Sequence, residues 1–260
     1  MVALCKTGRL VGNLKTIIKK DMLEKLKGEM QKLADKKKAK LLSGFFKTGK
    51  GEYGEGDLFL GIVVPNQRIV AKQFTGLSLP DLEKLLHSRY HEHRLTALLI
   101  IVQKFKKADD VQRENIIKLY LKNYAYINNW DLVDLTAPET LGAYLVDKDR
   151  RILYVLANSD NLWKKRIAIL STFKFIKNKE FKDAIKISKI LLNDKHDLIH
   201  KAVGWMLREV GKRDQQTEEK FLRLHYQTMP RTMLRYAIEK FPEEKRQFYL
   251  NKPAKNHVRK

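Results

Sequence analysis

Arg166-Ile167-Ala168-Ile169-Leu170 decides the fold, because it recurs along the chain. Lys201-Ala202-Val203-Gly204-Trp205 stands 35 residues later, and Arg235-Tyr236-Ala237-Ile238-Glu239 another 34 after that. In the other direction, Arg94-Leu95-Thr96-Ala97-Leu98 stands 72 residues earlier, twice 36. A further copy is therefore expected near position 130, where Trp130-Asp131-Leu132-Val133-Asp134 is found. A period of 34–36 residues fits a stack of helix pairs, an α-solenoid. The spacing is shorter than that of standard HEAT repeats, and the tetratricopeptide Trp-Leu-Gly-Tyr signature is absent, so the fold expected is all-α and HEAT-like. Its antiparallel helix pairs would curve to leave a basic concave groove.

The first slots of the five copies hold Arg94, Trp130, Arg166, Lys201 and Arg235, and the fifth slots hold Leu98, Asp134, Leu170, Trp205 and Glu239. Slots one and five are i and i+4 and share a helix face. A row of Arg, Lys and Trp on the groove-lining helices would be basic and aromatic. Leu98 and Leu170 also allow slot five to be a core position. On that reading Trp205 is simply buried, and Asp134 is the exception, since an unpaired buried carboxylate is costly.

Composition narrows the partner. The chain has 260 residues with 53 Lys+Arg against 30 Asp+Glu, a formal net charge of +23. The basic residues are spread along the chain, and a folded surface this positive attracts polyanions, nucleic acid first. The single cysteine, Cys5, excludes an internal disulfide framework and a multi-cysteine zinc site. No apolar run approaches the ~20 residues needed to span a bilayer, so no membrane partner is expected. The organisation read is a basic N-terminal extension over 1–20, one repeat domain over 21–250 and a basic tail over 251–260, in a cytoplasmic monomer.

Helix punctuation is legible. Ser78 caps a helix beginning Leu79-Pro80-Asp81, Asp109-Asp110 separates two helices, and Lys177-Asn178, Asn193-Asp194-Lys195 and Gly211-Lys212-Arg213 mark further ends. Leu58-Phe59-Leu60-Gly61-Ile62-Val63-Val64 reads as a short helix, broken before a second one that carries Pro65 in its first turn. The preceding Gly49–Gly56 loop is not a Walker loop, although Lys47 and Lys50 beside it allow a weak phosphate contact. Asn129 is expected to cap the helix holding Trp130, with Asp131 in its first turn as a structural acid. Thr136-Ala137-Pro138-Glu139 reads as a capping box, breaking the helix just after Asp134. His91 and His93 are two apart and off one helical face, which speaks against a metal site. Trp163 is expected to pack between repeats.

Trp130-Asp-Leu-Val-Asp134, Ser159-Asp-Asn-Leu-Trp-Lys-Lys-Arg166-Ile-Ala-Ile-Leu170 and Lys201-Ala-Val-Gly-Trp205-Met-Leu-Arg208-Glu together resemble the AlkD family of DNA alkylation repair glycosylases. Phe45-Phe46-Lys47-Thr48-Gly49 and Leu58-Phe59-Leu60-Gly61-Ile62 with Pro65 resemble its N-terminal part. The resemblance covers residues 25–245. It implies helical repeats around duplex DNA and hydrolysis of the N-glycosidic bond of positively charged N3- and N7-alkylpurines. It makes Asp134 the catalytic carboxylate, Trp130 and Trp205 its aromatic walls, and Arg166 the basic residue gripping DNA. Lys47, Lys164, Lys165, Lys201, Arg208 and Arg213 are the expected phosphate contacts.

The chemistry is consistent with one acid. A purine alkylated at N3 or N7 already carries positive charge and departs neutral, so no general acid is needed. One carboxylate can stabilise an oxocarbenium-like sugar and position water, and no metal or cofactor is implied. Burial would raise the pKa of such a carboxyl and a nearby Arg would lower it. The rival reading is a non-catalytic HEAT-like module that binds nucleic acid or serves as a protein scaffold. It accounts for the charge and the repeats but not for an acid among so many cations.

Overall fold

The computed structural model describes residues 22–251. The expected N-terminal extension lies outside the described residues, as does the basic tail apart from Asn251. Among the described residues every regular element is helical, and strand-like pairing is confined to one isolated parallel bridge between Leu58 and Tyr90. The chain divides into two compact units between Thr136 and Ala137. The first holds α1 (22–32), α2 (Lys36–Phe45), α3 (Val64–Gln73), α4 (Leu79–Leu86), α5 (His91–Lys107), α6 (Asp110–Lys122) and α7 (Trp130–Asp134). The second holds α8 (Arg151–Ala157), α9 (Leu162–Lys177), α10 (Lys182–Ile190), α11 (Asp197–Gly211), α12 (Gln215–His225), α13 (Arg231–Ala237) and α14 (Glu243–Leu250).

Each unit is organised around long helices with few polar faces. In the first, α5 packs against α3, α4, α6 and α7. Its run from Leu95 to Val102 is buried, because it is enclosed on several sides. In the second, α9 packs on α8, α10 and α11, and α11 packs on α10, α12 and α13. This alternation of long central helices with flanking partners is HEAT-like. The repeat arithmetic is in phase with it, since Arg94, Trp130, Arg166, Lys201 and Arg235 fall on α5, α7, α9, α11 and α13, every second helix. Gly204 lets α13 come close to α11. A Cβ there would lie 2.4 Å from the Met233 carbonyl oxygen and 2.5 Å from the Tyr236 Cβ.

The helix expected over Leu58–Val64 does not form. Leu58 to Val63 is an extended strap, and the helix begins at Val64 with Pro65 in its first turn. The reason is a partner far along the chain. The buried Glu92 carboxylate accepts from the backbone N–H groups of Leu60 (2.9 Å), Gly61 (2.8 Å) and Ile62 (3.2 Å). Leu58 donates its N–H to the Arg89 carbonyl at 3.0 Å and accepts from the His91 N–H at 2.8 Å. With these groups satisfied by tertiary partners, the apolar run gains nothing from helical hydrogen bonding. Gly61 sits at φ +84°, where a Cβ would meet the Asp35 carbonyl oxygen at 2.1 Å.

Candidate functional site

The candidate acid sits on α7, a helix of only five residues. Asn129 caps it as expected, its side-chain oxygen accepting from the Trp130 N–H at 2.8 Å. Leu132 and Val133 are fully buried and anchor one side. Trp130 and Asp134, the first and last residues, are one turn apart on a shared face and both are half-buried. The helix ends at Asp134, so the carboxylate stands at a helix terminus. The break is made differently from the sequence expectation. Thr136 does not cap the next turn; its hydroxyl donates back to the Leu132 carbonyl at 2.5 Å and meets the Tyr120 hydroxyl at 3.1 Å. The next turn is entered instead from Ala137, whose side chain has no acceptor for a cap. Pro138–Gly142 then forms a π-helical turn, closed by the Gly142 N–H on the Ala137 carbonyl at 2.9 Å.

The Tyr120 phenol feels the charge of this acid. Complete burial pushes it well above the ordinary tyrosine range, and the Asp134 charge adds to the rise, against the Thr136 hydrogen bond. The phenol therefore stays protonated.

Behind Trp130 is an aromatic stack that the sequence reading quoted in part but gave no role. Phe46 stacks on Trp130 at 5.3 Å between centroids, and Phe45 meets the same indole edge-on at 5.9 Å. Phe46 stacks in turn on Phe59 at 5.3 Å and meets the His91 ring at 4.8 Å. Phe45 remains 63% exposed although it is a large apolar side chain. Beneath the stack, His91 Nε2 is 2.8 Å from Asp131 Oδ2, and Arg94 donates to Asp57 at 2.5 Å. Asp57 is 3.5 Å from His91 Nδ1, at ion-pair rather than hydrogen-bond distance. Burial opposes a charge on His91. The Asp131 carboxylate, through its charge and hydrogen bond, and Asp57 outweigh it and hold the imidazole above its ordinary value. His93, two residues on, goes the other way: burial pushes it down to about 4. Asp131 is thus consumed inside the fold, as expected of a structural acid.

Lys47 follows the Phe pair, exposed and at φ +52°. The Gly-rich loop after it is tied up by its own acids: Gly49 N–H donates to Glu52 and Gly51 N–H to Glu55, each at 2.8 Å. Those amides are not left open as a phosphate cradle.

The remaining candidates belong to the second unit. Asn161 caps α9 by accepting from the N–H groups of Trp163 and Lys164, each at 3.0 Å. Trp163 is buried, in keeping with a packing role. Arg166 is only 4% exposed and donates to the Leu198 carbonyl at the start of α11. Trp205 is half-buried, its ring 5.8 Å from that of Phe173 on α9, and Lys177 stands over the same Phe173 ring at 4.4 Å. Most of the expected phosphate contacts carry acidic partners. Lys165 pairs with Asp194 at 2.7 Å, Lys201 with Asp197 at 2.6 Å and Arg213 with Glu209 at 3.0 Å. Arg208 pairs with Glu239, the fifth-slot residue of the last repeat. Lys165, after the cost of burial, lowers the pKa of Asp194, and Lys201 does the same for Asp197. The Lys201 and Arg213 pairs are at i,i+4 and legible in the sequence, whereas Asp194 and Glu239 lie 29 and 31 residues from their partners and are not.

Among the described residues no group of three or more His, Cys, Asp or Glu side chains is placed to hold a metal ion. None of the described helices is long and apolar enough to cross a membrane. No curated protein matches the chain. A solved structure described as a predicted DNA alkylation repair enzyme from Enterococcus faecalis is similar in fold. It has a TM-score of 0.63 at 16% identity, covering 81% of this chain and 97% of that one. The family described as DNA alkylation repair enzyme is matched over residues 26–241, a span that runs through both units. The chain belongs to this DNA alkylation repair enzyme family.

Proposed function

We propose that the protein is a DNA glycosylase that hydrolyses the N-glycosidic bond of positively charged N3- and N7-alkylpurines in duplex DNA. The observation that carries this reading is Asp134: a half-buried carboxylate at the end of α7, one turn from Trp130, in a chain of net charge +23. A carboxylate weakens phosphate binding, so its use is sought in chemistry. The bond from C1′ to the purine nitrogen breaks with both electrons going to the base, which cancels its charge. Positive charge then develops on the sugar, where a fixed carboxylate is most stabilising. Water adds to C1′ and passes its proton to that carboxylate, leaving an abasic site. The leaving group is already activated by its own charge, so a general acid is dispensable.

Trp130, held by Phe46 from behind, offers an indole to a cationic base, an attraction of about 0.5–2 kcal/mol. We assign Trp205 to DNA contact by the second unit, and Lys47, Lys164, Lys165, Lys201, Arg208 and Arg213 to phosphate neutralisation; Arg166, expected to grip DNA, is instead buried on the Leu198 carbonyl and would reach DNA only by giving up that bond. The ion pairs of Lys165, Lys201, Arg208 and Arg213 would exchange carboxylate for phosphate on binding. The direct test is release of 7-methylguanine or 3-methyladenine from methylated duplex DNA, followed by chromatography of the freed base. Release of either from methylated DNA, with none from undamaged DNA, is expected. Release of neither overturns the enzymatic reading.

A further inference from the structure

We propose that His91 is a positioning residue for this reaction: from the buried side it holds α7 through Asp131 and thereby sets the placement of Trp130 and Asp134. The inference rests on the glycosylase reading for its effect on rate, but not for the coupling itself.

A helix of five residues does not hold its shape through its own hydrogen bonds. Besides the Asn129 cap, the two buried aliphatics and the Thr136 hydroxyl on the Leu132 carbonyl, the bond from His91 to Asp131 ties α7 to α5. Asp131 is next in the chain to Trp130 and three residues before Asp134. His91 reaches Trp130 a second way. Its ring stacks on Phe59 at 4.8 Å and meets Phe46 at 4.8 Å, and Phe46 stacks on the indole. The histidine itself is fixed as the first residue of α5, its N–H bonded to Leu58 of the strap. One buried imidazole thus contacts both the backbone neighbour and the ring support of Trp130.

The charges facing His91 are Asp131 from α7, Asp57 from the segment before the strap, and Arg94 from its own helix. With His91 protonated, two cations face two anions. Without that proton, a buried negative charge is left over, and the bond to Asp131 loses its charge assistance. Because the pKa of His91 is raised in the fold, this pairing is fully present below the unfolded value of about 6.5 and is lost as pH rises through the folded value. Excision should therefore decline on the alkaline side. A carboxylate acting as base supplies only an acid limb.

The test uses the full chain labelled with 15N-tryptophan. The indole N–H resonance of Trp130, assigned by Trp130→Phe, is followed with pH alongside the His91 ring. The two should titrate with one midpoint, and the Trp130 titration should vanish in His91→Gln, which keeps a donor but carries no proton switch. In single-turnover assays, His91→Gln and Asp131→Asn should lose roughly tenfold or more in excision, as expected for a misplaced catalytic group, while duplex affinity is kept. Both variants should also lose the alkaline limb. The proposal is overturned if Trp130 does not titrate in the wild type, or if it titrates unchanged in His91→Gln. It is equally overturned if excision, DNA binding and melting temperature fall together with the pH profile unaltered. If the wild type releases no base while Trp130 still follows His91, the glycosylase reading falls and the coupling stands.

Discussion

Asp131 and Asp134 differ by three positions and have opposite fates. Asp131 is buried, with one oxygen on His91 and the other accepting from the Leu132 N–H at 2.9 Å. Asp134 is half-buried at the helix terminus, its charge felt by Tyr120. Periodicity separates the two by face, so Asp134 shares the face of Trp130 and Asp131 does not. The identity of the group that holds Asp131 was not, because His91 is 40 residues away. A different acid shows how strongly burial acts in this fold. Glu218 on α12 is 1% exposed, lies against Gly211 and has an unpartnered Oε1. Burial, with Glu219 adding, pushes its carboxyl up to about 9. Between its unfolded and folded values the native state holds the extra proton, so stability falls as pH rises through that window. Glu218→Gln should therefore raise the melting temperature at pH 8 and flatten its decline with pH. The gain at neutral pH would be on the order of 3 kcal/mol. An unchanged pH dependence of thermal melting would contradict this assignment.

At the scale of elements, the strap from Leu58 to Val63 is the main departure from the sequence reading. Three consecutive backbone donors depend on one side chain, Glu92. Glu92→Ala would leave them buried and unpaired, a loss of more than about 3 kcal/mol. Urea unfolding should show it, and a loss under about 1 kcal/mol would mean that water or neighbouring groups replace the carboxylate. The helices themselves were readable where their signals are local. Ser78 caps α4, Asp109 and Gln112 form a full capping box on α6, and Asn129 caps α7. The 34–36 residue period fell on every second helix because each repeat must bury a similar face. Local signals failed where a distant group intervened. Leu58–Val64 has helical apolarity but is bonded to Glu92 and Arg89, and Thr136 has a capping sequence but turns back to Leu132.

For the whole molecule, charge is the governing property. Even if every one of the 30 acids were paired one to one, 53 − 30 = 23 cationic side chains would remain uncompensated. A role in DNA alkylation repair follows from the family, whose match covers both compact units. Duplex affinity should then fall steeply and linearly with salt on a logarithmic plot, about 0.9 units of slope per phosphate neutralised. Fluorescence anisotropy across a salt series measures this directly, and a flat response would deny the expected phosphate contacts. The proposed chemistry needs one carboxylate, that of Asp134. It is tested most directly by Asp134→Asn, assayed in parallel for base release from methylated duplex and for duplex binding. Excision should fall by about 10²-fold or more, with binding retained or tightened. Wild-type excision by Asp134→Asn would contradict it.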